Sequence, residues 1–377
     1  MNRETSIYLD LVRFSAAMVV MIGHLSGARF AGGLFWQLGQ FMDDAVVIFF
    51  VLSGFVIAYV VDQKETNVEK YAIARAARIY SVALPALMLT FVLDALGKNL
   101  APHLYSAVWG YDAENLIGQF FAGLFFVNQL WYAPIQIGSM LPYWSLGFEV
   151  WYYVFFAIIY FVKSCWKYPL LIAACLVTGP RLVAFFPLWM MGYGAYKFAA
   201  VFVLSRKTGT AMLGMSIFAY GAYCLMLKDW LLNNPILYSS LGLLNLAPRY
   251  IVGTLFAIHL IAFVWASKPV GRALLPFAST IQWFAGATFT IYLFHIPVAQ
   301  FLITMLPWPP ADWRSRLIVL AGTFVLMLVI AEFTERKKRV WVGWISMIVA
   351  WLKARTSQPA DGFAQAPPEE EPARSVV

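Results

Sequence analysis

Ionisable side chains stand inside runs that are otherwise apolar, and their spacing outlines a site. In IYLDLVRFSAAMVVMIGHLSG, His24 follows Arg13 by eleven residues and Asp10 by fourteen. At roughly 100° per residue, a helix would turn His24 to within about 20° of Arg13 and about 40° of Asp10. The three residues form one polar stripe, with His24 about 16 Å beyond Arg13 at roughly 1.5 Å per residue. A histidine so placed suits general-base work, since imidazole titrates close to neutral pH. The plainer reading is an interfacial Asp–Arg pair and a hydrogen-bonded packing histidine.

Three further groups belong with the stripe. Arg75 and Arg78, three residues apart in EKYAIARAARIY, share a helical face, and paired guanidinium forks suit phosphate better than lysines do. As topology anchors alone they would need no ligand. Ser145 and Glu149 in LPYWSLGFEVWYYVFF stand one turn apart; they fit a helix cap and its dipole, or a carboxylate orienting the imidazole of His24. His295 lies one turn after Tyr292 in FTIYLFHIPVAQ. His259 and His103 are expected to be structural.

The elements that carry these residues follow from composition. The chain has 377 residues, of which 62% are hydrophobic and only 12% charged, against about 45–50% and 25% in soluble domains. That excludes a soluble enzyme, a disordered protein and a disulfide scaffold. The fold class expected is all-α, a polytopic transmembrane bundle of about ten spans. Windows of about 20 residues place them at 7–27, 41–61, 79–96, 144–163, 167–180, 182–204, 209–228, 249–267, 277–305 and 315–333. The first run has no small-residue cleavage site and is read as a retained span.

The net charge of +8 is spread over alternate connections: Lys64, Lys70, Arg75 and Arg78; Lys163 and Lys167; Arg206 and Lys207; Lys268 and Arg272; Arg336 to Arg339. This positive-inside pattern puts both termini in the cytoplasm and implies no nucleic-acid partner. Residues 116–132 are apolar, yet counting them as a span would invert every later loop, so a re-entrant or extracytoplasmic helix is expected. The chain divides into a membrane domain (1–335), a basic interfacial segment (336–355) and a Pro- and Glu-rich disordered tail (356–377). Cys165, Cys175 and Cys224 have no CxxC spacing, and no metal site is expected.

Taken in order, the motifs resemble the acyltransferase 3 family of bacterial integral membrane O-acyltransferases. LDLVRFSAAMVVMIGH, FFVLSGFVIAY with Ser53 and Gly54, ARAARIY, WSLGFEVWYY and FTIYLFHIPV match its motifs across nearly the whole chain. The resemblance implies a catalytic His24 supported by Glu149, with acyl-CoA bound by Arg75 and Arg78, and Arg13 assigned to the same donor site. Asp10, Ser53, Ser145, Tyr292 and His295 would support them. It further implies acetyl-CoA, or another acyl-CoA, as co-substrate and a glycan or glycolipid as acceptor, in contact with lipid of the bacterial inner membrane. Two positions depart from the family: Val47 stands where an aspartate is frequent, with Asp44 nearby but not aligned, and Glu335-Arg336-Lys337 lacks the usual proline. A rival class is a secondary transporter with an intramembrane proton relay, against which the lack of internal repeats argues.

Overall fold

The computed structural model describes residues 1–106, 111, 114–131, 134–233 and 246–356. Among them there is no strand, in keeping with an all-α bundle. Helix α1 (Arg3–Leu25) starts where the Asn2 side chain accepts the Thr5 N–H at 2.8 Å. Asn67 opens α3 (Val68–Leu100) by accepting the Lys70 N–H, and Ser205 opens α8 (Arg206–Ala222) by accepting that of Thr208. These caps satisfy helix N–H groups where the chain enters each apolar run. Between α1 and α3 lies α2 (Met42–Gln63).

The residues from 116 fold as a nine-residue helix, α4 (Leu116–Leu124), about 14 Å long and too short to cross a bilayer. The chain then turns through positive φ at Phe126 and Trp131 and enters α5 (Tyr143–Phe161). At Gly179, where φ is +81°, and Pro180, which fits a first helical turn, one apolar run divides into α6 (Lys167–Thr178) and α7 (Pro180–Val201). They meet at 119°. The fifth and sixth expected spans are therefore one bent pair, whose twelve-residue first arm is too short to cross alone. After α9 (Leu246–Leu274), a 46° bend separates α10 (Ala278–Ala285) from α11 (Thr288–Thr304). Next come α12 (Thr323–Phe333) and α13 (Lys338–Thr356). Among the described residues seven helices, or nine counting each bent pair as one span, are long and apolar enough to cross a membrane, against about ten expected.

Ion pairs identify the two ends of the bundle. Asp43 and Asp44 open α2 and bind Arg249 (2.5 Å) and Lys228 (2.6 Å). About 28 Å away, at roughly 1.5 Å per residue, Asp62 near its other end binds Lys197 (2.8 Å) and the Tyr160 hydroxyl. The Glu65–Arg75 and Glu69–Lys353 pairs, both 2.6 Å, lie at this second end. Thus α1 and α3 run one way and α2, α5 and α7 the other, and Arg75, Lys197 and Lys353 lie at the Asp62 end. Residues 340–353 belong to α13, whose Lys353 meets Glu69 beside the start of α3. The tail after 356 and the loop positions 234–245 lie outside the described residues.

Helix α11 occupies the centre, with every residue from Thr290 through Gln300 buried. Between apolar helices in lipid, association depends on close packing more than on water exclusion, and small residues permit the closest approach. The tightest contact is α2 on α7. A Cβ on Gly54 would sit 2.0 Å from the Trp189 carbonyl oxygen, and one on Gly192 would sit 1.8 Å from that of Val51. Neither backbone can yield without the helices separating. Gly54→Val or Gly192→Val is expected to cost at least about 1–3 kcal/mol, read as a lower Tm of the detergent-solubilised protein; an unchanged Tm would contradict this packing.

Candidate active site

Two cavities lie on either side of a central wall made by α5 and α11. At the Asp44 end, a cavity of about 400 Å³ is lined by His24, Asn128, Gln129, Gln136, Tyr143, Trp144 and Arg181, among others. Toward the Asp62 end, a smaller one of about 60 Å³ is lined by Arg13, Ser53, Arg78, Ser145, Glu149, Thr288 and Tyr292, among others. The stripe on α1 serves both: Arg13 faces the small cavity and His24 the large one. Asp10 stays beside Arg13, with 3.6 Å between Oδ1 and Nη1.

The hydrogen bonds of the histidines fix their tautomers. His24 Nδ1 lies 2.9 Å from the Val20 carbonyl oxygen, and His295 Nδ1 lies 2.8 Å from that of Ile291. Carbonyl oxygens only accept, so each Nδ1 carries the proton. His295 Nε2 is then a bare acceptor, 3.2 Å from His24 Nδ1, and takes a second share of the His24 N–H. What remains on His24 is the Nε2 lone pair. His295 is completely buried, so its ring is held by packing as well as by hydrogen bonds.

Glu149 has different company. Its Oε1 accepts hydrogen bonds from Ser53 Oγ (3.0 Å) and from the Tyr153 hydroxyl, while Trp189 Nε1 donates to Ser53 at 3.1 Å. No hydrogen bond among the described residues joins Glu149 to His24. The hydrogen bond expected between Glu149 and His24 is made instead between His295 and His24. A carboxylate one turn into α5 lies on the Asp62 side of the wall, facing Arg13 and Arg78. The wall itself contains the Ser145–Tyr292 hydroxyl pair at 2.6 Å.

The two arginines of the RxxR motif part company. Arg78 lines the small cavity, whereas Arg75 is bound by Glu65 and lines a separate apolar cleft of about 460 Å³ with Tyr71, Trp151 and Tyr153. The Nε of Arg75 is buried without a partner. Around the small cavity, Arg13, Arg78 and Lys338 interact electrostatically with Asp10, Glu149 and Glu335, so three cations meet three carboxylates. Such balance is what allows charge to be buried at membrane depth.

Glu335 was not singled out as a site residue by its pattern, since a carboxylate in a run of basic residues reads as a surface charge. It caps α11: its Oε2 accepts from the N–H groups of Phe289 (2.9 Å) and Thr290 (3.0 Å) and from Thr290 Oγ1 (3.3 Å). Arg181, Asn128 and Gln129 of the large cavity carried no motif either. Asp44 forms a buried ion pair with Lys228. His259 is bonded on both ring nitrogens, by Tyr8 and by Ser216 (3.0 Å), and His103 sits exposed in a short turn. Among the described residues, no group of three or more His, Cys, Asp or Glu side chains is arranged to hold a metal.

A helical bundle with apolar spans, a hydrogen-bonded histidine pair at its centre and a balanced charge cluster beside it defines a multi-pass membrane protein with enzyme-like polar machinery. Residues 6–332 match the acyltransferase domain model of the acyltransferase 3 family, and the chain belongs to that family. No curated protein and no solved structure matches it.

Removing the cap on α11 tests how the central helix is held. Glu335→Ala is expected to destabilise the protein by about 1–3 kcal/mol, and Glu335→Gln, which keeps an acceptor oxygen, by less. Equal Tm values for the alanine variant and wild type would contradict the assignment.

Proposed function

We propose that this acyltransferase moves an acyl group, acetyl as the simplest case, from cytoplasmic acyl-CoA to a hydroxyl of a glycan or glycolipid at the opposite face of the bacterial inner membrane. The observation that carries this reading is the His24 Nε2 lone pair in the large cavity, with its ring oriented by Val20 and His295. The donor approaches from the Asp62 end, which is the cytoplasmic side by the charge rule. Arg75, with its unpartnered Nε at the apolar cleft, and Arg78 and Arg13 beyond it attract the CoA phosphates. The small cavity has room for about two waters. Side chains lining it, such as Phe49 and Leu146, must therefore shift for the acyl thioester to reach His24.

In the transfer, His24 Nε2 takes the proton of the acceptor hydroxyl as its oxygen attacks the thioester carbonyl carbon. The C–O bond forms, the carbonyl oxygen becomes an oxyanion, and the C–S bond then breaks to release the CoA thiolate. The proton held on His24 passes to that sulfur. Charge on the imidazole strengthens its Nδ1–H donation to Val20 and His295, as the acid of a hydrolase triad does for its histidine. The Ser145–Tyr292 pair, one turn from His295, supplies hydroxyl hydrogens for the oxyanion. Glu149 anchors α5 to α2 through Ser53 and balances Arg13 and Arg78.

Membranes containing the protein, given labelled acetyl-CoA and acceptor glycan, are expected to yield labelled ester that mild alkali removes. His24→Ala should lower the rate at least about 100-fold; an unaltered yield would refute the mechanism. Arg75→Ala should raise the KM for acyl-CoA about tenfold with a smaller change in kcat, and an unchanged KM would refute the phosphate contact. Flux of an uncoupled substrate into vesicles without CoA would favour a transporter instead.

A further inference from the structure

The large cavity shares His24 with a set of polar groups that no motif accounts for. Arg181 is half-buried in its wall. It donates from Nη1 to the neutral Gln129 Oε1 at 3.1 Å, and its buried Nε has no partner among the described residues. No carboxylate lines the cavity, and Arg181 has no acidic partner among the described residues. The charged group nearest in effect is Arg249, of the same sign, itself paired with Asp43. Every other arginine lining a described cavity faces at least one carboxylate, as Arg13 and Arg78 do.

A second observation points to a ligand. Asn128 is 1% exposed, lines the same cavity, and its Oδ1 has no hydrogen-bond partner among the described residues. Gly147 of the WSLGFE run leaves it space, since a Cβ there would lie 3.0 Å from that oxygen. Buried polar atoms without partners are uncommon and costly, about 1–3 kcal/mol each. An orphaned guanidinium N–H calls for an anionic acceptor, and an orphaned amide oxygen calls for a donor. Helix α7 adds to the field, because it begins at Pro180 with no side-chain cap and its N-terminus favours negative charge.

We propose that the acceptor glycan is acidic: it presents an oxyanion, carboxylate or phosphate, to Arg181, and a hydroxyl donor to Asn128, while the hydroxyl to be acylated faces His24 Nε2. The cavity's size, about 400 Å³, lies within the usual range for small-ligand sites, and Trp144 offers a flat face for a sugar ring. Arg181 is a specificity residue here, and Gln129 holds its guanidinium in place. That the bound sugar is an acyl acceptor rests on the function proposed above; the preference for negative charge does not.

The test uses the full chain in lipid nanodiscs and calorimetric titration with a charged sugar, its neutral counterpart and a sugar phosphate. Methyl glucuronide, its uncharged amide and glucose 6-phosphate are the probes. Wild type is expected to bind the glucuronide or the phosphate at least about tenfold more tightly than the amide. Arg181→Gln should remove that gap by weakening the anionic sugars far more than the amide, and Arg181→Lys should retain part of it. Preference for the carboxylate alone or the phosphate alone supports the proposal and names the anion. Equal affinities in wild type, no binding of any probe, or a gap that survives Arg181→Gln would overturn it. Because the wild-type comparison needs no variant, a folding defect cannot mask the result. Adding acetyl-CoA separates the two readings. Charge preference without ester formation leaves this site and defeats acyl transfer; ester formation without charge preference does the reverse.

Discussion

The Nδ1–H of His24 is tied to the Val20 carbonyl and to His295 Nε2, and the remainder of the arrangement depends on that bond. It connects α1 to the central helix α11 at a depth where an unsatisfied N–H is expensive. It also decides which imidazole nitrogen stays available. His295 can accept only because its own Nδ1–H goes to Ile291, and its ring keeps that orientation because α11 is buried on all sides. Glu335 completes the chain of support by capping α11 from the start of the basic segment.

Charge is divided sharply between the two sides of the wall. Toward the Asp62 end, Arg13, Arg78 and Lys338 meet Asp10, Glu149 and Glu335, a balance that makes burial tolerable. Among the described residues, no carboxylate lines the cavity on the His24 side, and the side-chain hydrogen bond of Arg181 goes to an amide. The hydroxyl pair of Ser145 and Tyr292 stands between them. On the function proposed above, the two cavities would keep donor and acceptor in separate compartments on either side of that wall.

Much of this was legible in the residues. The 3.6-residue period placed Asp10, Arg13 and His24 on one face of α1, and the contrast of 62% hydrophobic with 12% charged residues required a helical membrane bundle. The bent pair was harder to read, because Gly179 and Pro180 sit inside a run whose hydropathy alone suggests two spans. That His295 is hydrogen-bonded to His24 was not legible, for a physical reason. Glu149 and His295 are both intramembrane groups on helices that pass near α1, and only packing depth separates them. Glu335, Asn128 and Arg181 left no periodic trace, since a cap and two loop-proximal polar residues acquire their roles from what tertiary structure brings near.

The most direct test is the tautomer of His24 itself. With histidine labelled at both ring nitrogens in the full chain in nanodiscs, and the His24 signals assigned by their loss in His24→Gln, ¹⁵N NMR reports which nitrogen bears the proton. His24 is expected to carry it on Nδ1, with Nε2 bare, and the Nδ1 signal to shift when His295 is replaced by phenylalanine. A proton on His24 Nε2, or an Nδ1 signal indifferent to His295, would contradict it.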